Sequence, residues 1–216
     1  TDPVLLAAAC PAKEDQHILE LGCGVGTASF CLYHRVKVNL TGIEIQKGYG
    51  KLAIKNGLAN KIPFKIEICD LLKLPKEIKN SSFDHLIMNP PYYKGGTPSA
   101  DNGKNKSMRI YNPLSNWIGE GLKRLKPRGW VTIINKTENL SEILISLNNK
   151  AGDIQIKPLT SGTDENADRV IVRARKDSKS PTKLHPPLII HTSNGKSKTY
   201  SNLAENIFRY GSPLTF

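Results

Sequence analysis

Asn89-Pro90-Pro91-Tyr92 follows directly on the apolar run FDHLIM, Phe83 to Met88. Proline removes a backbone donor and fixes φ, so a strand that ends this way holds its last carbonyls outward instead of pairing them. The side-chain oxygen of Asn89 and the main-chain carbonyl of Pro90 then form a pair of acceptors beside an aromatic ring. Such a set suits an amino group conjugated to an sp² system, which is a poor nucleophile because its lone pair is delocalised. Acceptors aimed at both amino hydrogens favour a pyramidal nitrogen and turn its lone pair toward an electrophile. Tyr92 offers a face on which a planar base stacks, a contact worth about 1–3 kcal/mol. Taken alone, a proline-rich turn that closes a strand explains these residues equally well, and the surrounding sequence has to decide.

The deciding context is ILELGCGVGTASF, Ile18 to Phe30, which reads as a strand, a turn built on Gly22, Gly24 and Gly26, and a helix. Glycines permit the sharp turn and a close approach of backbone to ligand. The spacing is Gly-x-Gly-x-Gly behind an acid, Glu20, whereas a dinucleotide fingerprint has its third small residue where Thr27 stands. A carboxylate disfavours a pyrophosphate and favours a cation. S-adenosylmethionine, with a sulfonium and an ammonium and no phosphate, therefore suits this loop. Glu44 ends the next strand about twenty residues on, where an acid accepts from both ribose hydroxyls. Asp70 ends the third strand in EICDLL, within reach of an adenine amino group. Acids at the ends of successive strands all face the crevice where open α/β sheets bind ligands.

Short runs rich in Val and Ile alternate with helical patterns and predict a parallel sheet covered by helices. The predicted strands are His17–Leu21, Val38–Ile45, Phe64–Cys69, Phe83–Met88 and Trp130–Ile134; predicted helices lie near Thr27–Tyr33, Gly48–Asn60, Pro113–Leu125 and Leu140–Asn149. DPVLLAAAC predicts a leading helix with Asp2 as cap and Pro3 in its first turn. LKPRGW, Leu125 to Trp130, predicts a helix end and a turn. IQIKPL and RVIVRAR follow each other without a helix and predict an antiparallel pair. After KDSKSPTK, Asn194-Gly195 signals a hairpin, and a short helix is expected near Asn202–Arg209. The expected division is a main α/β domain over residues 1–175 and a basic linker with a ribbon and helix over 176–216, packed on it.

The chain has 216 residues, a length that favours one domain, and carries a net charge of +12, which attracts polyanions, nucleic acid first. No run approaches the roughly 18 apolar residues of a membrane span, and no signal peptide opens the chain, so a cytoplasmic location is expected. The first residue is Thr1 rather than methionine, which suggests a piece truncated at its front. Cys10, Cys23, Cys31 and Cys69 lack zinc-site pairing and are expected to be reduced thiols; no metal is expected. The five histidines, scattered without a triad-like arrangement, are read as surface or strand-end residues.

Through LELGCGVG, the acid of GIEI, the CD of EICDLL and NPPY, residues 3–175 resemble the class I S-adenosylmethionine-dependent methyltransferases. The resemblance implies a Rossmann-like, doubly wound seven-stranded α/β sheet, mostly parallel with an antiparallel last strand; the small C-terminal β-ribbon is additional. It implies that Glu20, Gly22 and Gly24 line the methionine part of the cofactor, Glu44 the ribose, and Asp70 with the backbone of Leu71 the adenine, with Gly26 a further cofactor-binding residue of the loop. NPPY resembles the motif of enzymes that methylate adenine N6 in RNA or DNA, and of those that methylate glutamine N5 in peptide release factors. The net basicity favours RNA. So does the segment Tyr93–Asn112, in which Tyr93, Lys94, Lys104, Lys106 and Arg109 beside Pro91 are candidates to hold an RNA backbone. No separate amino-terminal helical domain of the glutamine enzymes is visible. More narrowly, DPVLLAAAC with NPPYY resembles the small bacterial family acting on the anticodon-loop adenine of valine tRNA, so tRNA is the expected partner. A noncatalytic RNA-binding module of the same fold is the remaining alternative.

Overall fold

Ile18 belongs to one hydrophobic core and its neighbour Leu19 to another. Adjacent side chains of a strand point to opposite faces, so a run apolar at every position requires cover on both sides. The same division separates Ile87 from Leu86, Ile134 from Ile133, and Ile171 from Val170 and Val172. The structure, a computed structural model, describes residues 1–91, 112–194 and 197–216. Tyr92, Tyr93, Lys94, Lys104, Lys106 and Arg109 lie outside the described residues.

Seven strands form the body of the sheet: β1 (His17–Leu21), β2 (Asn39–Glu44), β3 (Phe64–Ile68), β4 (Phe83–Met88), β5 (Leu125–Lys136), β6 (Ala151–Thr160) and β7 (Arg169–Lys176), in the order β3-β2-β1-β4-β5-β7-β6. The first five run parallel, and β7 lies between β5 and β6, antiparallel to both. The Rossmann-like fold with an antiparallel last strand is thus present. The C-terminal segment adds to it: β8 (Lys183–Leu184) and β9 (Leu188–Ile189) pair with β6 before the ribbon of β10 (His191–Asn194) and β11 (Ser197–Tyr200).

One face is covered by α1 (Asp2–Ala9), α2 (Thr27–Arg35) and α7 (Asn202–Tyr210), through Leu5, Leu6, Leu32 and Ile207. The other is covered by α4 (Lys76–Asn80), α5 (Leu114–Arg124) and α6 (Leu140–Leu147), through Ile78, Ile118, Leu122, Ile143 and Leu147. Each fully buried Leu or Ile contributes about 1.5–3 kcal/mol. At the β3 edge, α3 (Lys47–Ala59) instead buries Gly50, Ala53 and Gly57, small residues that bring it close to the sheet.

Three expectations are corrected. Asp2 is the first residue of α1 rather than its cap, and its carboxylate receives Arg169 Nε at 3.2 Å, tying the helix to the start of β7. The strand expected from Trp130 begins at Leu125: Leu125 pairs with Phe83 and Trp130 with His85, so residues 126–129 bulge opposite Asp84. His85 is not a surface residue but 2% exposed, with Nε2 bonded to Gln16 Oε1 at 2.8 Å. Apolar runs do not reveal a polar residue that finds its partner across the sheet.

The seat of α5 depends on Gly121. A Cβ there would collide with Leu86 Cδ2 of β4. Gly121→Ala is expected to destabilise the fold by about 1–3 kcal/mol through overpacking, measured by urea denaturation with an unchanged m-value.

Candidate active site

In the strand order the chain reverses direction across the β1–β4 pair, the switch point at which open α/β sheets bind ligands. Leu21 is paired with Met88, so Gly22 and Asn89 leave the sheet side by side. Between them opens a cleft of about 380 Å³ whose lining includes Glu20, Gly22, Gly24, Thr27 and Asn89, with Pro3 of α1 and Tyr49 of α3 at its walls.

Backbone hydrogen bonds hold the glycine loop against β2. Gly22 N and Cys23 N both donate to Ile43 O, at 2.8 and 3.0 Å, and Gly26 N donates to Cys23 O at 2.8 Å. The turn needs φ of +67° at Gly22, +55° at Gly24 and +90° at Gly26, a region that favours glycine. Space differs along it. A Cβ at Gly22 would lie 2.7 Å from the Trp117 ring of α5, whereas one at Gly24 would meet nothing within 4 Å.

Glu44, 5% exposed, accepts from Gly24 N at 2.9 Å through Oε2 and from Gln46 N at 2.7 Å through Oε1. It braces the loop, and each oxygen keeps a second lone pair for a ligand. Glu20, 4% exposed, accepts from Ser29 N at 3.1 Å and from Ser29 Oγ at 2.5 Å. Burial pushes its carboxyl up to about 8, against the hydrogen bonds from Ser29, which favour the charged form; the nearby Glu44 adds to the rise. Asp70 caps the 3₁₀ turn Leu71–Lys73 through Leu72 N at 2.9 Å and receives Asn112 Nδ2 at 3.4 Å.

Glu20, Gly22, Gly24 and Asn89 therefore line one cleft. Gly26 stands behind them as the cap position of α2, Glu44 ties the loop to β2, and Asp70 with the buried Leu71 lies at the end of β3, joined to β2 by Cys69 N on Glu44 O at 3.0 Å. Pro90 is buried and Pro91 exposed. Sequence reading did not find Pro3, Tyr49 or Trp117 at the site. Their spacing within helices resembles that of ordinary packing residues, and only the tertiary fold brings three helices to one loop.

The described lining contains two carboxamide or carboxylate side chains, Asn89 and Glu20, and no Lys or Arg. That chemistry fits a cationic ligand without phosphate. Cys10, Cys23, Cys31 and Cys69 are unpaired, and burial pushes the Cys10 thiol up to about 12. Among the described residues no group of His, Cys, Asp or Glu is arranged to hold a metal, and no helix is long and apolar enough to cross a membrane.

Sequence comparison identifies the class. Residues 3–156 match the methyltransferase small domain family, and the chain belongs to it. S-adenosylmethionine is the cofactor that goes with this family and fold. Over 151 residues the chain is 30% identical to a tRNA1(Val) (adenine(37)-N6)-methyltransferase of Shewanella sediminis, a match that covers 66% of this chain and 61% of that protein. It is 28% identical over 145 residues to a release factor glutamine methyltransferase of Fusobacterium nucleatum, covering 61% of this chain and 41% of that one. The fold is shared with a crystal structure described as a "predicted O-methyltransferase" from Agrobacterium tumefaciens, with a TM-score of 0.82 at 20% identity over 99% of this chain and 98% of that one.

Two outcomes test the geometry. Gly24→Ala, strained by its positive φ but free of clashes, is expected to cost about 1–2 kcal/mol of stability, and it adds a methyl in open space at a residue that lines the cleft. Calorimetry should accordingly show a larger loss of S-adenosylmethionine affinity than the stability change accounts for. For Glu20 the raised pKa sets a sign. The folded state keeps a proton that the unfolded state loses above about 4.5, so stability falls as pH rises from about 4.5 through about 8. Thermal melts should show wild type losing stability relative to Glu20→Gln across that window, by up to about 1.4 kcal/mol per pH unit.

Proposed function

We propose that this chain transfers a methyl group from S-adenosylmethionine to an exocyclic amino nitrogen, N6 of an adenine in RNA, with tRNA the favoured class. The observation that carries this reading is the placement of Asn89 in the same cleft as Glu20 and the glycine loop, at the switch point of the sheet. The names of the Shewanella and related proteins and the net charge of +12 support RNA as the acceptor. A cytoplasmic location goes with such a substrate.

Bound in the cleft, the cofactor supplies a methyl group made electrophilic by its sulfonium. The residues of the chain do the rest. Glu20, with Gly22 and Gly24, lines the methionine part of the cofactor and its carboxyl meets the cationic end, Glu44 offers its remaining lone pairs to ribose hydroxyls, and Asp70 with the backbone of Leu71 meets the adenine. Asn89 Oδ1 and the Pro90 carbonyl accept the two amino hydrogens of the substrate and aim its lone pair into the cleft. Tyr92 stacks on the base, and the basic residues among Lys94, Lys104, Lys106 and Arg109 hold the strand. Catalysis by positioning and preorganised acceptors of this kind needs no covalent nucleophile from the chain. Residues 1–175 form the methyltransferase unit, and 176–216 pack on it as an extension, with Leu214 N donating to Ala8 O at 2.8 Å.

A second reading, glutamine N5 methylation of a protein, is favoured by the Fusobacterium relative. Labelled-methyl transfer to total tRNA and to release factor separates the two. Label recovered as N6-methyladenosine after digestion to nucleosides supports the first reading; label in protein would sink it. Absence of S-adenosylmethionine binding in calorimetry would leave only a noncatalytic module. Asn89→Ala is expected to lower transfer at least about a hundredfold, the scale of losing one preorganised polar contact, with cofactor affinity nearly unchanged. Equal loss of both would make Asn89 structural.

A further inference from the structure

A second cleft, of about 330 Å³, opens at the opposite end of the sheet, where β1, β4 and β5 begin. β4 is six residues long, which separates this cleft from Asn89 by roughly 15–20 Å. We propose that it is a binding site for a nucleoside monophosphate, built from Lys13, Arg128, Arg175, Trp130 and His85. The inference does not depend on the reading of the catalytic cleft.

Charge is the first ground. Lys13, Lys126, Arg128 and Arg175 line the cleft against one carboxylate, Asp84. That carboxylate is neutralised locally, by Lys126 Nζ at 2.8 Å and by the amide of His17 at 2.9 Å. Among the described residues Lys13 and Arg128 enter no ion pair. Cations concentrated in a concave site attract a phosphate, and guanidinium groups bind it with strong, directional hydrogen bonds.

The buried histidine is the second. His85 is 2% exposed and lines the cleft. Gln16 Oε1 accepts from Lys13 N at 2.8 Å and also lies 2.8 Å from His85 Nε2, so Nε2 carries the hydrogen in that contact. Nδ1 is then an acceptor, and it has no partner. Burial, with the positive charges of Arg35 and Arg173, lowers the imidazole to about 4 despite Asp84 beside it, so the ring is neutral. That acceptor is closed to solvent in the wall of the cleft, so an N–H or O–H of a nucleoside would meet it only with a shift of the ring.

Backbone strain is the third. Arg128 has φ of +65°, a region where a glycine is comfortable and an arginine is not, although a glycine stands at the next position. The bulge thus holds a cationic side chain at the mouth of the cleft at a conformational cost, a pattern found where a residue is kept for function. Trp130, with the Arg175 guanidinium 5.5 Å from its ring, adds an aromatic surface. The volume lies at the lower end of small-molecule pockets and matches one nucleotide. That nucleotide is either free or the phosphorylated end of an RNA.

Trp117→Phe leaves Trp130 as the remaining one of two tryptophans, and its fluorescence reports on this cleft. AMP, adenosine, inorganic phosphate and a 5′-phosphorylated oligoribonucleotide are titrated in turn. Saturable change with AMP, weakened at least about tenfold for adenosine, for phosphate alone and in the Arg128→Gly background, is expected, a factor of ten being about 1.4 kcal/mol. Tighter binding of the oligoribonucleotide than of AMP would assign the site to an RNA end; the reverse would assign it to a free nucleotide. Because glycine relieves the strain, Arg128→Gly should melt at the same temperature as its parent or higher, with S-adenosylmethionine affinity unchanged. Lys13→Ala provides an independent loss of charge on an exposed loop. The absence of an AMP signal, adenosine or phosphate binding as well as AMP, or full AMP affinity in both charge variants would overturn the proposal.

Discussion

The pairing of β1 with β4 is the constraint on which the site depends. Leu21 opposite Met88 brings Gly22 and Asn89 out of the sheet at one level, although they are far apart in sequence. A slip of one residue would exchange the core faces of Ile18 and Leu19, and of Leu86 and Ile87, all 0% exposed. The register is therefore fixed by two cores at once, and the relation between the glycine loop and Asn89 inherits that rigidity. A site set on strand ends is held by the whole fold rather than by the loops themselves.

Two buried acids then do different work within that frame. Glu44 accepts from the amides of Gly24 and Gln46, and it converts the end of β2 into a brace for Gly24. Glu20 has only Ser29 to offset its burial, and its proton affinity rises accordingly. A cation entering the cleft reverses the balance at Glu20, because it supplies the opposite charge that burial removed from solvent. The site is thus more complementary to a cationic ligand than to water, and the glycine turn leaves room for the ligand at Gly24 while Trp117 closes the space at Gly22.

Much of this was legible in the sequence because it rests on local rules. Strand runs apolar at every position require helices on both faces, and Gly-x-Gly-x-Gly behind Glu20 requires a turn with positive φ. The acids at the ends of β1, β2 and β3 were found for the same reason: strand ends are readable. Trp117, Pro3 and Tyr49 were not, since their positions depend on how helices pack over the loop. The Lys126–Gly129 bulge read as a turn before a strand, because nothing local announces that Leu125 already pairs with Phe83. His85 was misplaced because its partner, Gln16, comes from a loop 69 residues away in sequence.

The net charge of +12 is distributed unevenly, and this changes what it means. The described lining of the candidate active-site cleft has no Lys or Arg, while the cleft at the other end of the same strands has four. A cationic cofactor and the polyanionic substrate proposed for this chain make opposite demands, and a single surface cannot meet both. Acids at the carboxyl ends of the strands meet the first demand. Positive charge that serves the second must therefore stand outside the described lining of the cofactor cleft. Composition sums over these environments and so cannot separate them; the topology does, because each strand carries its two ends to opposite poles of the molecule.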